Sequence, residues 1–182
     1  MNHCGTRNLE TPRLLLRPLT LDDAQMMYDN WASDPAVTNY LRWEPHPSWV
    51  YTAELLHEWS KHYADPAYYQ WGICEKDTGV LFGSLCLGPG EPDPVWQGPM
   101  WEPGYCIGRR WWNKGYTTEA LCAVRDLWFT TVGGDRLACC HAVDNPASGA
   151  VMRKAGFVYH HDSVYHKYDG AEVPCKVYLL EK

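Results

Sequence analysis

Apolar residues recur along this chain with two distinct periods. After Tyr116, the residues Leu121, Val124, Leu127, Trp128 and Val132 are spaced by threes and fours, which predicts an amphipathic helix with one buried stripe. Glu119, Arg125 and Asp126 fall largely off that stripe, and Gly133-Gly134 supplies the left-handed geometry at which helices commonly end. A second helix start is written in Asp144-Asn145-Pro146-Ala147-Ser148. Asn145 suits the N-cap, Pro146 the first helical position and Ser148 the third; Val151, Met152 and Ala155 form the buried side, Gly156 the end, and Phe157 leads into a strand. Nearer the start, Leu21-Asp22-Asp23-Ala24 opens a helix running towards Trp31. Residues 51–63 predict another, with Leu55, Leu56 and Trp59 on one face.

Shorter apolar runs predict strands over residues 13–17, 69–74, 80–87, 100–107, 136–141, 159–165 and 176–180. The second and third of these are joined by the turn Lys76-Asp77-Thr78-Gly79. Residues 88–99 are rich in Gly and Pro, so they predict an extended loop, placed where it would border a substrate cleft. Strands and helices in this order indicate an α/β or α+β sandwich. With 182 residues, 46% of them apolar, and no internal repeat, the chain is expected to form one domain over residues 1–182.

The candidate chemistry lies in the turn that feeds the long helix, Trp111-Trp112-Asn113-Lys114-Gly115-Tyr116-Thr117-Thr118-Glu119-Ala120-Leu121. A glycine turn at a helix start presents unpaired N–H groups and the positive end of the helix dipole, which together suit a phosphate. Two other phosphate loops are excluded by spacing. No G-x-G-x-x-G follows Ile107, and no G-x-x-x-x-G-K-S/T occurs anywhere; Lys114 stands before Gly115, not after it.

Trp112-x-x-Gly115-x-Thr117 resembles the acetyl-CoA pyrophosphate loop of the GNAT N-acetyltransferase superfamily, Arg/Gln-x-x-Gly-x-Gly/Ala, with Trp112 in place of the Arg or Gln and Thr117 in place of the small last residue. The longer run from Glu102-Pro103-Gly104-Tyr105-Cys106-Ile107 to Thr118-Glu119-Ala120-Leu121 resembles the RimJ/RimL-like branch. Asn145, Ser148, Gly156 and Phe157 match the segment that lines the pantetheine arm in that branch. The resemblance implies a mixed, mostly antiparallel twisted sheet with helices on both faces. It implies acetyl-CoA as co-substrate, held by Tyr105, Cys106, Ile107, Trp112, Asn113, Lys114, Gly115, Tyr116, Thr117, Asn145 and Ser148.

It also implies a reaction, direct attack of a primary amine on the thioester, the amine being a protein N-terminal α-amine or that of a small molecule. An amine with a pKa of about 8 to about 10 is mostly protonated at neutral pH, so a base is needed. Glu102 occupies the family position for it, with a surface or substrate-orienting carboxylate as the plainer alternative. N–H groups near Tyr105 to Ile107 would polarise the carbonyl. Ser148 is the candidate acid for the leaving thiolate, its alternative being a helix cap; Tyr159 is the reserve. Trp31, Tyr40, Trp43, Trp49 and Trp101 are open between an acceptor cleft and the core.

Charge and cysteine use bound the rest. A net charge of −6 disfavours general nucleic-acid binding and suits a cationic partner. No apolar stretch approaches the roughly 20 residues needed to cross a bilayer, and the first residues lack a secretory signal, so no membrane partner and a cytoplasmic location are expected. Among the eight cysteines, Cys74, Cys86, Cys106, Cys139 and Cys140 sit in apolar runs as small hydrophobes, and without a C-x-x-C pair no metal site is expected. His57 and His62 are five apart, which on a helix separates them by roughly 140° and makes them surface residues. A homodimer stays open. Two other functions compete: a module that binds acetyl-CoA without turnover, and a hydrolase built on His141, Asp144 and Ser148, against which stands the lack of a G-x-S-x-G elbow.

Overall fold

A computed structural model describes residues 1–96 and 100–182. Thirteen main elements follow one another among the described residues: β1 (Leu9–Glu10), β2 (Leu14–Pro18), α1 (Ala24–Met27), α2 (Pro35–Thr38), α3 (Trp49–Ser60), β3 (Tyr69–Glu75), β4 (Leu81–Pro89), β5 (Trp101–Ile107), α4 (Tyr116–Leu127), β6 (Arg136–Ala142), α5 (Pro146–Lys154) and a closing pair, β7 (Val158–His166) and β8 (Glu172–Glu181). Strands β1 to β5 form one sheet in sequence order, and β6-β8-β7 form a second. Every ladder within the two sheets is antiparallel among the described residues.

Side-chain alternation assigns each face of the first sheet its helix. Leu14 and Leu16 of β2, Trp71 and Ile73 of β3 and Ile107 of β5 pack with Leu121, Val124 and Leu127 of α4. On the other face, Leu81 and Cys74 meet Ala24 and Met27 of α1, Leu56 of α3, and Trp31. The sheet is therefore covered on both sides, as the resemblance implied. The stripe expected on α4 is buried throughout, and its helix continues through a wider turn, Trp128–Val132, to end at Gly133 with φ 76°. No helix of the described residues is long and apolar enough to cross a membrane.

Several sequence expectations shift. Strand β4 runs through Gly88 to Pro89, because Gly88 and Pro89 pair with Glu102 and Trp101, so the Gly/Pro-rich loop begins later than expected. Its residues 97–99 lie outside the described residues. The short strand β1 and helix α2 carry too few apolar residues to show a period, and were not anticipated. Trp31 is fully buried and Trp101 packs against the main core, so neither lines a cleft; Trp49 is half exposed at the start of α3.

The β4–β5 ladder is tight at Gly83, where an added Cβ would lie 2.5 Å from Ile107 Cγ2 and 2.6 Å from the Cys106 carbonyl oxygen. A backbone oxygen cannot yield without moving β5. Gly83→Ala is expected to cost about 1–3 kcal/mol, read as a lower urea midpoint; an unchanged midpoint would show that β5 moves freely against β4.

Candidate active site

The two sheets meet without a ladder. Strand β5 bonds to β4 along one edge, while β6, next to its other edge, pairs with β8. The Gly108 N–H donates to the Phe82 carbonyl on the β4 side. The Ile107 carbonyl instead accepts from Trp112 Nε1 (2.9 Å) and the Pro103 carbonyl from Cys139 Sγ (3.3 Å), so odd-numbered residues of β5 turn their backbone groups towards the gap. The N–H groups of Tyr105 and Ile107 therefore face it. Cys106 departs from expectation: its N–H belongs to the β4 side, and its thiol lies 3.5 Å from Ser84 Oγ on the sheet's other face.

Alternation also splits the side chains of β5. Tyr105 points to the α4 and α5 side, where its hydroxyl lies 2.9 Å from Ser148 Oγ and 3.3 Å from the Ser148 carbonyl. Ser148 is held in turn by Asn145, whose Oδ1 accepts from the Ser148 N–H and caps α5. Burial pushes the Tyr105 phenol well above its ordinary range and so keeps it protonated. Glu102 points to the opposite face, where its Oε1 accepts from the Cys140 N–H (3.3 Å) and thiol (3.2 Å). Burial raises its carboxyl above the ordinary range, opposed by the Cys140 contact and by Arg42, whose Nη2 is 4.0 Å away.

Glu102, Tyr105, Asn145 and Ser148 all line one cleft of about 950 Å³. Its far wall holds residues to which no sequence motif pointed. Arg42 donates to Glu91 (2.7 Å) and to the His166 carbonyl (2.9 Å), and stacks 5.0 Å from the Tyr165 ring. His46 is buried between Trp43 and Tyr51 and bonds to Thr52, and burial lowers its pKa. Tyr40 and Trp43 also line this wall, so these two of the five aromatics left open between cleft and core belong to the cleft. Of the cysteines expected as core, Cys86, Cys106 and Cys140 are only half buried and form part of its surface, while Cys74 and Cys139 are buried.

The glycine turn lies beside this cleft, outside its lining. Asn113 has φ 61° and Gly115 φ 79°, two left-handed residues that curl the chain into the start of α4. Consequently the six N–H groups from Asn113 to Thr118 have no hydrogen-bond partner among the described residues. The side chains around the turn secure it from behind. Trp111 Nε1 and the Tyr116 hydroxyl both donate to Glu75 Oε1, and Tyr116 packs on Phe82. The Tyr116 side chain thus faces the core, and it is its backbone N–H that belongs to the turn. Trp112, Asn113 and Lys114 are exposed, and Thr117 is half buried in the first turn.

Two alternatives do not assemble. The Tyr159 hydroxyl bonds to Asp162 on the outer face of β7, away from the cleft, so it is no reserve acid. His141 bonds through Nδ1 to the Ala142 carbonyl, and its Nε2 is buried without a partner, against Gly149. It forms no hydrogen bond to Asp144 or Ser148, so the hydrolase triad is absent among the described residues. His57 and His62 are exposed on and beyond α3.

Comparison with known proteins agrees with this geometry. A family model described as an acetyltransferase (GNAT) domain matches residues 13–158. The uncharacterized N-acetyltransferase YoaA of Bacillus subtilis (strain 168) is 29% identical over 149 residues, covering 82% of this chain and 81% of YoaA. A GNAT-family acetyltransferase from Bacillus anthracis has a similar fold, with a TM-score of 0.78 at 18% identity, covering 96% of this chain and 98% of that one. A ribosomal-protein-S5-alanine acetyltransferase from Vibrio fischeri gives 0.73 at 16%, covering 96% of each chain.

The raised Glu102 carboxyl has a consequence for stability. Above the ordinary value of 4.5 the folded state holds this proton more tightly than the unfolded chain, so its contribution to stability falls as pH rises through the folded pKa. As pH rises above 4.5, the urea midpoint of Glu102→Gln is expected to fall less than that of the parent protein. Parallel pH profiles would mean that Glu102 ionises as freely folded as unfolded.

Proposed function

This chain belongs to the GNAT acetyltransferase family, and from that premise we propose that it transfers an acetyl group to a primary amine by direct attack on the thioester, with Glu102 as base and Ser148 as acid. GNAT acetyltransferases use acetyl-CoA as co-substrate. The observation that carries the reading is the division of β5, which presents Glu102 on one face and Tyr105 with Ser148 on the other, across a gap that no ladder closes. The exposed N–H groups of residues 113–118 fit a diphosphate at the start of α4. Asn145 and the Ser148 region would border the pantetheine arm.

Acetyl-CoA, when bound, supplies an activated acetyl thioester. The chain's residues supply the proton transfers and the field. Glu102 takes a proton from the acceptor ammonium at its carboxylate, and its raised pKa brings it nearer to that of an amine than an ordinary carboxylate would be. The match is better for an α-amine, near 8, than for a lysine side chain, near 10.4, which favours an N-terminal α-amine among the acceptors. The Tyr105 and Ile107 N–H groups, fixed by the β4–β5 ladder, offer donors to the carbonyl oxygen without reorganisation. The Ser148 hydroxyl, held by Tyr105 while Asn145 fixes its backbone N–H, gives a proton to the leaving sulfur and takes in its place the surplus proton of the attacking nitrogen.

The acceptor enters from the wall built by Arg42, Glu91, Tyr40 and Trp43. Its two carboxylates, Glu91 and Glu102, outnumber the one guanidinium between them, so this end suits an ammonium group. We assign the chain over residues 1–182 to one domain of the RimJ/RimL-like branch. The neighbour from Vibrio fischeri, which by its name acts on a ribosomal protein alanine, supports testing peptides first. A module that binds acetyl-CoA without turnover has no observation in its favour beyond the same N–H cradle.

Purified protein is expected to release free thiol from acetyl-CoA when given a peptide with a free N-terminus or a small amine, and not with an N-blocked peptide. Glu102→Gln is expected to lower kcat by about a hundredfold with little change in acetyl-CoA affinity. Tight acetyl-CoA binding with no release against any amine would favour the module, and an unaltered kcat in the variant would remove Glu102 as base.

A further inference from the structure

Arg13 sits just before β2, distant in sequence from the glycine turn, yet its side chain joins two parts of that turn. Its Nη1 donates to the Lys114 carbonyl (2.9 Å), and its Nε and Nη2 both lie 2.7 Å from Glu119 Oε2. Glu119, in the first turn of α4, also accepts from the Arg13 N–H (3.0 Å) and from the Thr11 hydroxyl (2.6 Å). The guanidinium carbon lies 4.5 Å from the centre of the Tyr116 ring. The strap is itself held fast: Thr11 and Leu14 bond to each other around it, and the Arg13 carbonyl accepts from the Lys76 N–H. Burial works against the Glu119 charge, but Thr11 and Arg13 together hold its carboxyl below the ordinary range.

Peptide planarity gives this clamp a directional effect. In a trans peptide the carbonyl and the following N–H point opposite ways. Drawing the Lys114 carbonyl back onto Arg13 therefore turns the Gly115 N–H outward, into the row of unpartnered donors. Only a planar fork can hold a carboxylate and a backbone carbonyl at once; a lysine ammonium is a point donor on a flexible stem. Glu119 neutralises the guanidinium, so Arg13 acts through the backbone it fixes and not as a ligand.

We propose that Arg13, through Glu119 and the Lys114 carbonyl, is a positioning residue for the diphosphate of acetyl-CoA, setting donor affinity at that end alone. This rests on the donor assignment made above. The test compares acetyl-CoA with S-acetylpantetheine, a thioester that lacks the diphosphate, in the parent protein and in Arg13→Met. The variant is expected to weaken acetyl-CoA binding by roughly tenfold, about 1.4 kcal/mol, measured by titration calorimetry, with kcat at saturating acetyl-CoA and KM for S-acetylpantetheine unchanged. Should the methionine variant fail to fold, Arg13→Lys is expected to give a smaller loss on acetyl-CoA alone. Unchanged acetyl-CoA affinity, or equal weakening of both thioesters, overturns the proposal. Failure of the parent protein itself to bind acetyl-CoA overturns the donor assignment and, with it, this role.

Discussion

Strand β5 is hydrogen-bonded along one edge only. Buried peptide groups left without partners cost free energy, so an open edge inside a protein persists only where other groups cover part of it. Here Trp112 and Cys139 cover the Ile107 and Pro103 carbonyls, and the Tyr105 and Ile107 N–H groups remain. The rest of the site depends on this edge. Because β6 pairs with β8 instead, the two sheets leave a cleft between them, and the alternation of β5 gives that cleft a carboxylate from one face and a hydroxyl pair from the other.

The glycine turn follows the same logic of exposing backbone donors while anchoring everything else. The Glu75 side chain of β3, the Ile107 carbonyl of β5 and the Arg13 side chain before β2 hold it from behind. Two left-handed residues then aim consecutive N–H groups the other way, where the dipole of α4 adds its positive end. Rigidity matters because donors already aimed need no ordering when an anion arrives.

On the wall of the cleft opposite Ser148, one guanidinium faces two carboxylates. Arg42 bridges Glu91, the His166 carbonyl and the neighbourhood of Glu102, and so ties the β4–β5 connection and the β7–β8 hairpin to the loop between α2 and α3. The same guanidinium limits how far burial raises the Glu102 carboxyl. The Glu102 carboxyl is thus tuned by segments remote from one another in the chain.

Local order was legible in the residues themselves. The stripe on α4, the Asn145 cap with Pro146 behind it, the turn at Gly79 and the stop at Gly133 follow from periodicity and backbone preference, which act over a few residues. The paired motifs around Gly115 and Asn145 also pointed to the family. What the sequence left open was every relation between distant segments. Arg13 and Arg42 look like ordinary surface arginines, and no motif shows that the Tyr105 hydroxyl meets Ser148 or that the Tyr116 ring packs inward. Short-range sterics and hydrogen bonds determine which element a stretch adopts. Which side chains meet across the open edge of β5 depends on how the two sheets pack, and only the tertiary structure decides that.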